Sequence, residues 1–218
     1  YWEFVESRNV ISDIKPTPNL LILLTWDFNV SPLAWVVIQE FTYQANFYSP
    51  REKRFVALAE SDGEARGLMD GVADFAAQFP VGTYGNTPIW VYGDASGYAR
   101  NLHSASSDFA LIDQYLRSLG YGRVTILASR PPNPLVKHRL EKTAALMAYE
   151  RFSVNSTCRR LIASFVKTSL KEGTFDIEKP SGEDHTHYAD ACTYALYQAA
   201  KDIDVANPRA KRVIGTSF

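Results

Sequence analysis

Apolar residues in the first third of the chain come in short continuous runs rather than at helical spacing. The run over residues 20–24 continues to a carboxylate at Asp27, and a run of this length predicts a central strand that is buried on both faces. Two more strands are predicted over residues 34–41 and 53–59. Because the connections between these strands are short, we expect them to form an antiparallel meander.

The spacing of apolar residues changes to that of a helix beyond the third strand. Ser61 and Glu64 have the spacing of a capping box, which predicts the start of a helix. The helix that follows has one apolar face, formed by Leu68, Val72, Phe75, Ala76 and Phe79.

Strands and helices alternate in the second half of the chain. We predict strands over residues 88–94 and 123–128, and helices over residues 109–119, 133–149 and 156–170. Asn133 and Pro134 are expected to supply the N-cap and the first-turn proline of the middle helix. Asp184 is predicted to cap a final helix, whose apolar side carries Tyr188, Ala191, Cys192, Ala195 and Ala199.

This order of elements predicts an α/β fold with one mixed sheet flanked by helices. The first three strands should be antiparallel, and the later strands should be joined by parallel crossovers. Residues 1–18 are predicted to be an arm, because Pro16 and Pro18 discourage regular structure. Residues 19–218 then form one domain, which is a normal size for a single hydrophobic core.

The composition of the chain bears on the cellular compartment in which the protein works. Two cysteines, Cys158 and Cys192, cannot build a disulfide framework, so a reducing intracellular compartment is favoured over secretion. The longest apolar run is too short to cross a bilayer, and no signal-peptide pattern precedes it. The chain starts with Tyr1 rather than Met, which suggests a fragment or a processed product.

The net charge of −1 conceals an uneven distribution. Residues 100–171 hold 12 Lys and Arg against 4 Asp and Glu, whereas the rest of the chain holds 11 against 20. A basic stretch folded onto one face would neutralise DNA phosphates, although it also fits ordinary solvated helices. The cations that we single out as possible DNA contacts are Arg100, Lys137, Arg139 and Lys142.

Three acids occupy positions where a purely structural role explains them poorly. Asp27 and Asp94 each end an apolar strand, and Asp190 lies in a helix rich in Ala and Tyr. If adjacent strand ends and a helix across them bring the three together, their mutual repulsion calls for a cation. Hard oxygen ligands favour Mg²⁺ or Mn²⁺. The alternative for any single one of these acids is a turn former or a helix cap.

His187 precedes Asp190 by three residues, so both side chains share one face of the predicted helix. The imidazole is either a further metal ligand or a group that only supports the ligands. Other catalytic patterns are absent from the sequence. It contains no GxxxxGK[ST] phosphate loop, no HExxH zinc motif and no GxSxG serine elbow.

Three segments together resemble the nuclease domains of phage large terminase subunits. The segment Asp27-Phe28-Asn29-Val30-Ser31-Pro32 resembles the DFNxxP stretch that follows their first strand. Residues 93–97 resemble their second acidic motif, and residues 187–194 resemble their HxxDAxxY pattern. The likeness covers roughly residues 19–200. The second acid is Asp94 here, whereas some members of the family have Glu at that place.

The resemblance implies an RNase H-like fold and a metal-dependent endonuclease that cuts double-stranded DNA during viral genome packaging in the host cell cytoplasm. It implies that Asp27, Asp94 and Asp190 bind two Mg²⁺ or Mn²⁺ ions. It also implies an ATPase motor domain before residues 1–18, which would be the linker, and a portal and a small terminase subunit as partners. The resemblance leaves open a junction resolvase or transposase core, or a non-catalytic DNA-binding or docking module.

Overall fold

A computed structural model of the chain describes residues 1–28, 33–44, 46–49, 51–63, 67–99, 106–128, 130, 132–169, 174 and 186–203. Its centre is a seven-stranded sheet in the order β1-β7-β4-β3-β2-β5-β6. The strands are β1 (Val10–Ile11), β2 (Ile22–Asp27), β3 (Ala34–Tyr43), β4 (Glu52–Glu60), β5 (Ile89–Gly93), β6 (Val124–Ile126) and β7 (Phe152–Asn155).

The sheet is mixed, as the sequence predicts. β2, β3 and β4 are antiparallel neighbours, whereas β5 and β6 extend the sheet from β2 in parallel. All six residues of β2 are buried, which confirms the prediction of a central strand covered on both faces. β2 therefore has helices above and below it, and its end is enclosed by protein.

Seven helices and one 3-10 turn are described. The helices are α1 (Glu6–Asn9), α2 (Leu68–Gln78), α3 (Val81–Tyr84), α4 (Asp108–Ser118), α5 (Val136–Ala148), α6 (Arg159–Lys167) and α7 (His187–Ala199), and the 3-10 helix covers Ala95–Tyr98. Within the described ranges, no helix combines the length and the apolar character needed to cross a membrane.

Two apolar cores lie on opposite faces of the sheet, because side chains alternate along each strand. Leu24 and Trp26 of β2 pack with the buried faces of α2 and α4. Leu23 packs on the other side, in a cluster with apolar residues of α6 and α7. This second layer places α7 directly against the end of β2.

The helix starts predicted from the capping signals at Ser61 and at Asn133 are wrong. α2 begins at Leu68 after Gly67, and Ser61 instead lies 3.2 Å from the hydroxyl of Tyr188. Glu64, its expected partner, lies outside the described residues. α5 begins after Leu135, so Asn133 is not its N-cap. In each case a polar side chain near a helix start is used by a tertiary contact, which local spacing does not report.

Two strands escape the sequence prediction. β7 has only four residues between two helices, and β1 has two residues within the segment predicted as an arm. β1 pairs in parallel with β7, and β7 with β4. Short strands of this kind depend on an existing sheet edge. The division of the chain into a linker over residues 1–18 and one domain over residues 19–218 stays a prediction.

Candidate active site

Asp27 and Asp94 lie at the same edge of the sheet, at the ends of two neighbouring parallel strands. β2 and β5 pair with Trp26 opposite Gly93, so each acid is the next residue along its strand. Neighbouring strands are about 4.8 Å apart. The expectation that adjacent strand ends would place these two acids side by side is met by the backbone register.

Asp27 is buried, with 4% of its surface exposed, and it meets a histidine rather than solvent. Its Oδ2 lies 2.8 Å from Nδ1 of His187, and both side chains are enclosed. A carboxylate oxygen accepts hydrogen bonds, so Nδ1 is the protonated nitrogen and donates this hydrogen bond to Oδ2. In a neutral ring, Nε2 is then the nitrogen with the lone pair.

The packing of α7 explains why His187 reaches Asp27. The hydroxyl of Thr25 donates a hydrogen bond of 2.5 Å to the backbone carbonyl of Ala191, which pins the start of α7 across β2. His187 is the first residue of α7, and Asp190 belongs to the same turn. The spacing of three residues puts both side chains on one helix face.

Asp94 caps the 3-10 helix that follows β5. Its Oδ1 accepts hydrogen bonds from the backbone N–H and the hydroxyl of Ser96, at 2.9 and 2.5 Å. The backbone N–H of Ala95, between Asp94 and Ser96, donates to Oδ1 of Asn133 at 2.6 Å. The role of turn former is therefore real for Asp94, and Asn133, which sequence spacing assigned to a helix cap, holds this turn in place.

Asp190 is partly accessible, with a side chain that is 20% exposed, and the guanidinium of Arg139 lies beside it. Nη1 of Arg139 lies 3.5 Å from its Oδ1, and the same nitrogen donates to the hydroxyl of Thr193 at 2.6 Å. Arg139 itself is only 4% exposed. That burial argues against the phosphate contact expected of Arg139.

The pKa of the Tyr194 hydroxyl is affected by all three acids. Burial raises the pKa of this phenol most strongly, and Arg139, whose guanidinium lies 3.9 Å above the ring, acts against that shift. The charges of Asp94, Asp190 and Asp27 each raise the pKa further. All three carboxylates are thus close enough to act on one side chain of α7.

The described residues contain no group of three or more His, Cys, Asp or Glu side chains arranged to hold a metal ion. The three acids border one edge of the sheet without forming a finished coordination shell. Their convergence on shared metal ions, with His187 as a further ligand, stays a prediction.

A fourth carboxylate near this edge was missed by sequence reasoning. Asp108 is the first residue of α4, and burial followed by the charge of Asp94 raises its pKa. The sequence offers only a helix-start signal at this place, since Ser107 caps α4. Nothing in that local pattern connects Asp108 with Asp94.

The remaining candidates for DNA contact differ in their surroundings. Lys137 is half exposed and lies 3.8 Å from Glu141 on the next turn of α5. Lys142 donates to the carbonyl of Ile203 at 2.7 Å. Arg100 and Asp184 lie outside the described residues, and the prediction that Asp184 caps the final helix is wrong, because the N-cap position of α7 belongs to Thr186. The side chain of Lys137 is 50% exposed, and an ion pair with Glu141 at the surface is weak.

The chain matches no model of a known protein family, and no curated protein sequence matches it. Solved structures do. The nuclease domain of the P22 large terminase superposes with a TM-score of 0.59 at 15% identity, covering 90% of each chain. The fold is that of a large terminase nuclease domain. The resemblance read from the three sequence motifs is confirmed at the level of fold.

The large terminase of the thermophilic bacteriophage D6E superposes with a TM-score of 0.58 at 12% identity, over 90% of this chain. The same D6E protein in complex with ATP-gamma-S gives a TM-score of 0.57. This chain spans 43% of the D6E large terminase. At such low identity the likeness establishes the fold, and the chemistry must be argued from the site.

Proposed function

We propose that this chain is the nuclease domain of a viral large terminase and that it cuts double-stranded DNA with bound Mg²⁺ or Mn²⁺. The observation that carries the proposal is the placement of Asp27 and Asp94 at adjacent strand ends, with Asp190 on the helix packed across them. A fold shared with terminase nuclease domains supports the same assignment.

The chemistry of the donor set fits a hard divalent cation. Three carboxylates supply the oxygen ligands that Mg²⁺ and Mn²⁺ prefer. The partly buried edge strengthens repulsion between these charges, and Arg139 is an incomplete counter-ion at 3.5 Å from one of them. Two such ions, when bound, would supply an activated water and stabilise the leaving oxygen of a phosphodiester.

The residues at this site have different proposed roles, which follow from their positions. Asp27, Asp94 and Asp190 would bind the cations, and the Ser96 bonds orient one oxygen of Asp94. His187 would fix the orientation of Asp27 and offer Nε2 as a softer ligand or as a support for a bound water. Mn²⁺ accepts nitrogen more readily than Mg²⁺ does.

The basic part of the chain is proposed to guide the duplex toward this edge. Lys137 supplies an exposed charge, and Lys142 and Arg100 belong to the same basic stretch. Such contacts recognise phosphates rather than sequence. The D6E large terminase was solved in complex with ATP-gamma-S, which supports an ATPase motor domain before residues 1–18 in the whole protein. Portal and small terminase subunits are proposed as further partners from the family resemblance alone.

The experiment compares cleavage and metal binding in one set of proteins. Wild-type chain should nick and cut linear duplex DNA with Mn²⁺ or Mg²⁺, and Asp94→Asn should lose cleavage while remaining folded. Asp113→Asn is the matched control, because Asp113 pairs with Arg117 on α4. Faster cutting of four-way junctions than of linear duplex would indicate a resolvase. No Mn²⁺ binding in calorimetry and no cleavage would indicate a docking module.

A further inference from the structure

We propose that Arg139 is a positioning residue for Asp190: its buried guanidinium fixes the carboxylate that the proposed nuclease uses to bind metal. The inference rests on the proposed function, because it assigns Asp190 a ligand role. It does not make Arg139 a catalytic residue, since the guanidinium lies behind the carboxylate rather than in the open part of the site.

The geometry around Arg139 holds the guanidinium on three sides. Nη1 donates to the hydroxyl of Thr193 at 2.6 Å and lies 3.5 Å from Oδ1 of Asp190. The plane of the group stacks 3.9 Å above the ring of Tyr194. Thr193 in turn donates to the backbone carbonyl of Asp190 at 2.9 Å. One turn of α7 and one residue of α5 thus form a closed unit around Asp190.

A contribution to folding stability does not by itself account for a buried arginine at position 139. Burying a guanidinium carries a large desolvation penalty, which is offset only when its hydrogen bonds are satisfied. The Nε of Arg139 has no hydrogen-bond partner among the described residues. An aliphatic side chain of similar volume would fill the space between α5 and α7 without that penalty. A charged group that is incompletely satisfied points to a requirement set by its neighbour.

That neighbour is the carboxylate of Asp190. Its side chain is 20% exposed, against 5% for Arg139, so the guanidinium approaches the carboxylate from its enclosed side. The desolvated surroundings extend to Tyr1, where burial and then the charge of Asp190 raise the pKa of the phenol, opposed by Arg139. In such surroundings the ion pair restricts the rotation of Asp190 more strongly than it would in water.

Two effects of removing Arg139 have opposite signs, which makes the test decisive. Loss of a positive charge beside a metal site should by itself tighten the binding of a cation. Loss of the group that orients a ligand should weaken it, typically by about 10- to 100-fold for such supporting residues. Weaker Mn²⁺ binding after removal of the charge would therefore show that Arg139 acts by orienting Asp190 and not by its charge.

The experiment titrates Mn²⁺ by calorimetry into wild-type chain, Arg139→Gln and Arg139→Lys, without DNA, and then measures cleavage. We expect about 10- to 100-fold weaker Mn²⁺ binding in Arg139→Gln and partial recovery in Arg139→Lys. Arg151→Gln is the control: Arg151 pairs with Glu52 at 3.0 Å, at the start of β4 and away from the acids. This variant should bind Mn²⁺ as the wild type does.

Unchanged or tighter Mn²⁺ binding by folded Arg139→Gln would overturn the inference. If this variant fails to fold, Thr193→Val provides the second test, because it removes the acceptor of the Nη1 bond while keeping the shape of the side chain. It should weaken Mn²⁺ binding in the same direction by a smaller factor, and wild-type affinity in Thr193→Val would refute the positioning role. Wild-type chain that neither binds Mn²⁺ nor cuts DNA would instead refute the proposed function.

Discussion

Asp27 and Glu60 are two buried acids that end strands at the same edge of one sheet, yet their surroundings differ. β3 lies between their strands, with Asp27 opposite Ala34 and Glu60 opposite Val36. Asp27 meets the imidazole of His187. Glu60 meets backbone: one carboxylate oxygen accepts the N–H of Arg160 at 2.8 Å and the other that of Leu161 at 2.7 Å.

The hydrogen-bond partner of each acid, rather than its burial, distinguishes the structural acid Glu60 from the candidate metal ligand Asp27. The N–H groups bound by Glu60 belong to the first turn of α6, which has no other intrahelical acceptors for them. Glu60 cannot release them without unravelling that turn. Asp27 is held by an imidazole, a group that can donate or accept a hydrogen bond and can bind metal. We infer that Glu60 serves the fold and Asp27 the chemistry.

The largest effect is expected from Asp27→Asn, which should abolish DNA cleavage while the protein stays folded. An amide is a poor ligand for Mg²⁺ or Mn²⁺, and bound metal contributes several kcal/mol of transition-state stabilisation. Each 1.36 kcal/mol is a factor of ten in rate, so the loss should reach about 10³-fold or more. Nicking of supercoiled plasmid, followed with time, measures it.

Glu60→Gln is the matched control for that experiment. It makes the same change from carboxylate to amide on the same edge of the sheet, at an acid whose oxygens are bound to α6. The folded variant should cut DNA at the rate of the wild type. Cleavage at the wild-type rate in Asp27→Asn, or its loss in folded Glu60→Gln, would reverse the distinction between the two acids.

A smaller effect is expected from His187→Ala, which removes the partner of Asp27 and leaves the acid in place. Metal binding should weaken by about 10- to 100-fold, and more for Mn²⁺ than for Mg²⁺, because nitrogen suits Mn²⁺ better. High metal concentration should restore part of the cleavage. Rates measured across a metal titration at several pH values provide the test.

A general-base role for His187 predicts a different outcome from the same titration. No concentration of metal would then restore the rate, and the acidic limb of the pH–rate profile would disappear in the variant. Activity that no metal concentration restores would therefore refute the supporting role and favour proton transfer by the imidazole.

The positions of Asp27 and Asp94 were predictable because they depend on local pattern. An apolar run that ends in an acid identifies a buried strand and its carboxyl end without knowledge of any other element. Parallel neighbours then bring such ends to one edge. The placement of His187 and Asp190 in one helical turn follows from their spacing alone.

Glu60 and Arg139 were not predictable, since their roles depend on the elements packed against them. Glu60 follows the predicted third strand and looks like any acid before a loop until α6 is placed on it. Arg139 lies among Lys137, His138 and Lys142 and looks like part of a solvated basic face. Only the contact between α5 and α7 turns it inward. β7 was missed for the same reason, because this strand has four residues and depends on pairing with β4.

The smallest effect concerns the stability contributed by Glu60. Glu60→Gln keeps one acceptor oxygen and replaces the other with an NH₂ group, so one N–H at the start of α6 loses its bond. An unsatisfied buried donor costs about 1–3 kcal/mol. Urea denaturation should show a decrease of that size in the free energy of unfolding. Asp113→Asn, on an exposed ion pair, should leave it nearly unchanged.

The pH dependence of that decrease tests its cause. Burial raises the pKa of Glu60 above 4.5, although the bonds from Arg160 and Leu161 act in the opposite direction. The native state therefore binds the proton more tightly than the unfolded chain does. Stability from this protonation is fully present below pH 4.5 and is lost as the pH rises through the higher folded pKa. Glutamine does not titrate, so the difference between wild type and Glu60→Gln should shrink as the pH rises through this window. A difference that grows with pH would show that the ionised carboxylate is the favoured form, and that the bonds from Arg160 and Leu161 outweigh burial.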